Sequence, residues 1–206
     1  MRPIHRSPKL FVSLFVLILI AAPPTLAQAP TAEAQVAAAI LPLPDEMRAG
    51  ATVIGWNGAG VRTDLREGTN GMICIADEPG NERFRVVCYP EALHPLLSRS
   101  RELREENLEE AERDRRLEEE VEAGKVVLPE QPAVLHVIDG PVGSYDPAIG
   151  RASGEVSQLR IIFTPYQTAE AMGLPTERQD GMPWVMNSGE LFSHIMIVRE
   201  GGEEGE

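Results

Sequence analysis

Cys74 and Cys88 stand seven residues on either side of Asn81, and Pro79-Gly80 next to that centre supplies turn chemistry. Met72, Cys74 and Ala76 alternate along one arm; Phe84, Val86 and Cys88 alternate along the other. Folded about Asn81 as an antiparallel hairpin, the arms place the two cysteines directly opposite one another, with both apolar sets on one face. A disulfide in that position fixes the strand register and decides which face becomes core. No other feature of the chain constrains its fold as tightly.

Such a bond needs an oxidising compartment, and the N-terminus supplies the route. Arg2, Arg6 and Lys9 precede an apolar run from Leu10 to Ala22 that is broken only by Ser13. Pro23 and Pro24 end the run, and Thr25-Leu26-Ala27 places small residues at the −3 and −1 positions of a cleavage site. Residues 1–27 read as a signal peptide. The apolar run is shorter than the about 20 residues that cross a bilayer, so no stable membrane anchor is expected after cleavage. The expected location is periplasmic or secreted. In a reducing compartment the same cysteines would read as a nucleophilic thiol with His94, His136 or His194 as base; export weighs against that reading.

The whole chain carries a formal charge of −13, and loss of the three leader cations takes it to −16. Nucleic-acid affinity is dominated by Lys and Arg contacts to phosphate, so a nucleic-acid partner is not expected. A protein or small-molecule partner stays open.

Past the leader, residues 28–50 form an Ala- and Pro-rich linker or strap, with a short helix over 34–40 and a single turn over 45–48. Residues 51–89 read as a four-stranded antiparallel meander. Asn57-Gly58 marks a two-residue hairpin turn, and Val61, Thr63 and Leu65 alternate with Arg62, Asp64 and Arg66, the period of a half-buried strand. Residues 90–123 switch to a helical period and predict a charged helical hairpin. Pro90 opens it, Asn107 caps the second helix and Gly124 stops it. From Arg99 to Lys125 there are 11 acidic and 7 basic residues, spaced for pairs within a solvated helix and with no sustained heptad for a coiled coil. Strands return at 133–138, a two-sided apolar run that reads as central, and at 158–164, 183–186 and 191–198. A short helix is expected between Thr168 and Gly173, and residues 200–206 form an acidic tail. The fold class is α+β: one domain over 51–199, its antiparallel sheet built from the N-terminal meander and the C-terminal strands, with the helical hairpin against it.

Candidate chemistry is sparse. His136 has Asp139 three residues on, and His194 has Glu190 four residues before, so His136, Asp139, Glu190 and His194 are the available metal ligands if their strands are neighbours. Asp77, Glu78, Asn81 and Glu82 crowd oxygens on one turn without EF-hand spacing and read as turn chemistry. P-loop, H-E-x-x-H, C-x-x-C and dinucleotide-binding patterns are absent, so the sequence assigns no cofactor.

Taken in order, Gly50 to Val53, Leu65 to Cys74, a second cysteine after the turn, Pro183 to Met186 and His194 to Ile197 resemble exported bacterial proteins of unassigned function. The resemblance implies bacterial export and one recurring domain; it implies no activity or ligand. The expectation is an exported soluble domain with a binding or scaffolding role. The alternative is a secreted hydrolase, metal-assisted, with its site near His136, Asp139 and His194.

Overall fold

The computed structural model describes residues 30–179 and 181–200. The expected signal peptide at 1–27 and the tail beyond 200 lie outside the described residues. Helix α1 (Ala32–Ala39) is capped by the Thr31 side chain, and α2 (Asp45–Arg48) is a single turn after Pro44. Strands β1 (Thr52–Trp56), β2 (Arg62–Arg66), β3 (Met72–Ile75) and β4 (Arg83–Pro90) follow. A 3-10 turn at Glu91–Leu93 leads into α3 (His94–Glu105), and α4 (Glu110–Glu122) comes next. The remaining elements are β5 (Ala133–Pro141), the short β6 (Tyr145–Asp146) and β7 (Arg151–Ala152), β8 (Ser157–Phe163), α5 (Ala169–Met172), β9 (Trp184–Met186) and β10 (His194–Glu200).

Eight strands make one sheet in the order β2-β1-β3-β4-β5-β8-β10-β9. Helices and a mostly antiparallel sheet give the α+β class. β5 lies inside the sheet between β4 and β8, as its two-sided apolar sequence requires. Residues 51–89, however, are not a meander. β3 lies parallel to β1, and the β2–β3 connection crosses the start of β1 to reach its far side. Gly68 makes that crossing: a Cβ there would lie 2.2 Å from the Thr52 backbone nitrogen. Its own N–H donates to Thr52 Oγ1, and the N–H groups of Thr69 and Asn70 both reach the Gly50 carbonyl. These contacts join residues far apart in sequence, so strand periodicity does not report them.

The hairpin expected at Asn57-Gly58 is a wider loop over 57–61, closed by Asn57 Oδ1 accepting from the N–H groups of Ala59 and Val61. Asn107 is not a helix cap. It adopts a left-handed φ of 54° in the link between α3 and α4, and Glu109 holds the cap position. Gly124, with φ of 68°, does end α4, and Thr168 and Gly173 bracket α5 as expected.

One face of the sheet carries Cys74, Cys88, Val53 and Val86, covered by α1 and the strap through Leu43. Residues 28–50 therefore complete the core from Pro30 onward. Gln35 ties the strap down: its side chain accepts from Trp56 N–H and donates to the Trp56 and Pro30 carbonyls, adding a rung to β1 beyond the end of β3. The other face carries Ile73, Tyr89, Ala133 and Phe163 and packs against α3 and α4 through Leu96, Leu103 and Leu117. Arg99 of α3 forms two charge-assisted bonds with Glu120 of α4 at 2.7 and 2.9 Å, and Arg116 reaches Glu106.

Candidate functional site

The sequence candidates separate in space. His136 faces the disulfide side, flanked across the sheet by Cys88 and Arg160. Burial, then the Arg160 charge, holds its pKa below the ordinary histidine value. Asp139 belongs to the opposite face, beside Arg85, where Arg83 bonds its carboxylate and Arg85 lies at 3.9 Å. His194 shares that face but aligns with Phe163 and Ala133, six register positions from Asp139, or about 20 Å along the strands. Its Nδ1 is tied to the Phe192 carbonyl at 2.7 Å. Glu190 is exposed in the turn before β10. The structure does not bring these four groups together, and among the described residues no three His, Cys, Asp or Glu side chains could hold a metal ion. A sheet spacing cannot be read from intervals in sequence; parity puts His136 and His194 on opposite faces.

A different constellation is assembled instead. Between the helix-covered face and α3 lies a cleft of about 490 Å³. Its floor is Ile75, Val87, Tyr89 and Leu135, and its roof is Leu97, Arg101, Arg104 and Glu105. Trp56, Arg62 and Arg85 stand at the rim with Glu78 and Asn81 of the β3–β4 turn. An acidic chain has thus gathered four guanidinium groups around one concavity.

Each arginine reaches the cleft for a local reason. Arg62 is the cross-strand neighbour of Trp56 and lays its guanidinium 5.1 Å from the indole centre. Arg85 follows the parity of Val87 and Tyr89 along β4. Leu97, Arg101 and Arg104 follow one another at i, i+4 and i+7 on α3, a single helical face. Arg101 stacks 6.0 Å from the Tyr89 ring centre and donates to the Tyr89 hydroxyl at 3.2 Å, which leaves the phenolic proton for His94 Nδ1 at 3.3 Å. Burial raises the Tyr89 pKa, with Arg101 opposing it. Burial, then repulsion from Arg101, lowers that of His94. Both groups are therefore neutral at pH 7. Arg104 has exposed surface at the roof, yet protein packed around its guanidinium lowers its pKa by desolvation, and Arg101, Arg113 and Arg85 add repulsion.

Hydrogen-bond bookkeeping singles out the same place. Among the described residues, four buried side-chain polar atoms have no partner: Trp56 Nε1, Arg62 Nε, Arg101 Nε and His136 Nδ1. The first three are all N–H donors on residues lining the cleft. A buried donor left unmet costs about 1–3 kcal/mol, and the Arg62 and Arg101 guanidiniums lie over the Trp56 and Tyr89 rings in the cleft wall.

Sequence reasoning missed this site because it read Arg62 as the solvent side of an alternating strand. The reverse holds: Val61 is 58% exposed while Arg62 turns inward over Trp56. The available signal was the Leu97, Arg101, Arg104 spacing, which extends the apolar stripe of α3 with cations. No family model, curated relative or solved structure matches the chain.

Proposed function

We propose that this chain is an exported binding domain that captures a small organic anion in the arginine-lined cleft. The observation that carries the reading is the gathering of four arginines around one cleft of an acidic chain, with Arg101 and Arg104 in no ion pair within 4.0 Å among the described residues. Export is supported by the n-, h- and c-region order of residues 1–27 and by the Cys74–Cys88 bond. No helix among the described residues is long and apolar enough to cross a membrane. The net charge of −13 selects by size: it repels extended polyanions, while a small anion that enters the cleft meets local positive charge. The apolar floor favours a ligand with a hydrocarbon or aromatic body.

The test is calorimetric titration of the secreted protein with naphthalene-2-sulfonate, naphthalene-2-methanol and 2-naphthylmethylamine. Saturable binding of the sulfonate alone is expected, weakened about tenfold or more in Arg101→Gln through loss of a charge-assisted bond worth about 1.5–3 kcal/mol. Equal binding of the alcohol, or an unchanged affinity in Arg101→Gln, refutes the reading.

A further inference from the structure

We infer that the cleft's ligand is a phosphate monoester on an apolar body, with one doubly charged head seated between Arg101 and Arg104. The inference rests on the anion-binding reading above and specifies its chemistry.

Charge balance within the lining leads to it. Four arginines and two glutamates line the cleft, a local excess of two positive charges. Arg62 has Glu105 at 3.2 Å. Among the described residues the one carboxylate within 4.0 Å of the Arg85 guanidinium is Asp139, at 3.9 Å and already bonded by Arg83. Among the described residues, Arg101 and Arg104 form no ion pair within 4.0 Å. Arg101 and Arg104 are therefore the two lining arginines without an ion pair, with only the longer-range attraction of Glu78 acting on Arg104, and they are neighbours. Three residues apart on α3, their Cβ atoms are about 5–6 Å from each other, and the repulsion between them contributes to the state of Arg104. A monoanion would compensate only one of them. Two carboxylates at the ends of a long spacer would place the second charge away from both. The three terminal oxygens of a phosphate monoester can accept from both guanidiniums at once, bidentately.

The apolar floor orients the rest of the ligand. Trp56 lies on β1, two strands from Arg85 on β4, across the floor made by Ile75 and Val87. A body extending from the phosphate along that floor packs on Ile75 and Val87 towards the Trp56 side of the cleft. A volume of about 490 Å³ accommodates a ring system besides the phosphate, within the ordinary range of small-molecule sites.

The experiment compares 2-naphthyl phosphate with naphthalene-2-sulfonate, same ring and same tetrahedral head, at pH 7.5 and pH 5.5 by calorimetry on the secreted protein. At pH 7.5 the phosphate is expected to bind at least about tenfold tighter. With a second phosphate pKa near 6, that advantage falls about fourfold at pH 5.5 as the dianion is protonated. The titratable groups that line the cleft, Glu78 and Glu105, and those bonded to or paired with its lining residues, His94 with Tyr89 and Asp77 and Asp139 with Arg85, act on both probes, so the ratio isolates the ligand's own proton. Arg104→Gln is expected to weaken the phosphate more than the sulfonate, so that most of the advantage is lost. Equal affinities at pH 7.5, or a ratio unchanged by pH, overturn the doubly charged head. Tighter binding of naphthalene-2,6-dicarboxylate overturns the single head. Inorganic phosphate as tight as the ester overturns the apolar body. Failure of sulfonate and phosphate alike overturns the anion-binding reading beneath them, which distinguishes the two failures.

Discussion

Replacing both Cys74 and Cys88 by alanine removes a constraint that acts chiefly on the unfolded chain. The two residues are direct cross-strand partners, with Cα atoms 4.0 Å apart and no exposed surface. Their sequence separation of 14 closes a loop of about 15 residues, for which the chain-entropy relation gives about 3 kcal/mol. The β3–β4 ladder, with Ile73 opposite Tyr89 and Ile75 opposite Val87, persists without the bond, so the native fold should survive in the variant. The assay is urea unfolding followed by tryptophan fluorescence and circular dichroism, oxidised wild type against Cys74→Ala/Cys88→Ala. At an m-value of about 1–3 kcal/mol/M, the loss moves the midpoint down by about 1–3 M. The variant's m-value should rise, because its unfolded chain is less compact. A loss under about 1 kcal/mol, or two titratable thiols in denatured but unreduced wild type, would refute the argument.

Two further outcomes follow from the same structure. In hydrogen exchange, amides of 104–122 should exchange well before those of 72–75 and 84–88, because Leu117 is the one buried side chain of α4 whereas β3 and β4 are paired on both sides; equal protection would place α4 in a deeper interface. The histidine pair sets a pH response: His94 and His136 both have pKa values depressed mainly by burial, so the unfolded chain binds more protons between the folded values and about 6.5. Stability is full above 6.5 and declines as pH falls through that window; two-dimensional NMR titration should show both midpoints below 6.5, and a normal midpoint for either removes its share.

Local signals were readable and non-local ones were not. The β3–β4 register follows from alternation about Asn81, and Gly124, Thr168 and Gly173 end or cap helices because backbone geometry at those points depends on a few neighbours. The parallel pairing of β1 with β3 depends instead on Gly68 crossing the Thr52 backbone, a contact no window of sequence contains. Six of the eight residues 32–39 are alanine or valine, with little contrast between faces, so the sequence shows a helix but not that Ala38 and Ala39 are core. The β2 alternation misled for another reason. A bulge at Leu65 shifts the register between Val53 and Ile54, and polarity alone says that Arg62 is charged, not that it faces an indole.

Two arginines on one helix show how an acidic chain leaves positive charge where a cleft needs it. Arg99 lies about 200° around α3 from Arg101, on the side that meets α4, and finds Glu102, Glu106 and Glu120 there. Those carboxylates hold its pKa far above the ordinary arginine value. Arg104 lies only about 60° from Arg101, so both turn towards the sheet, where β3, β4 and β5 offer apolar side chains and the Tyr89 hydroxyl. The acidic surplus of α3 and α4 is thereby spent on the solvent side of the pair. Behind the cleft floor, the other faces of β3 and β4 carry the Cys74–Cys88 bond under α1. The strands that position Ile75, Val87 and Tyr89 are the ones the disulfide holds in register, and a one-residue slip between them would turn either Ile75 or Val87 and Tyr89 away from the arginines.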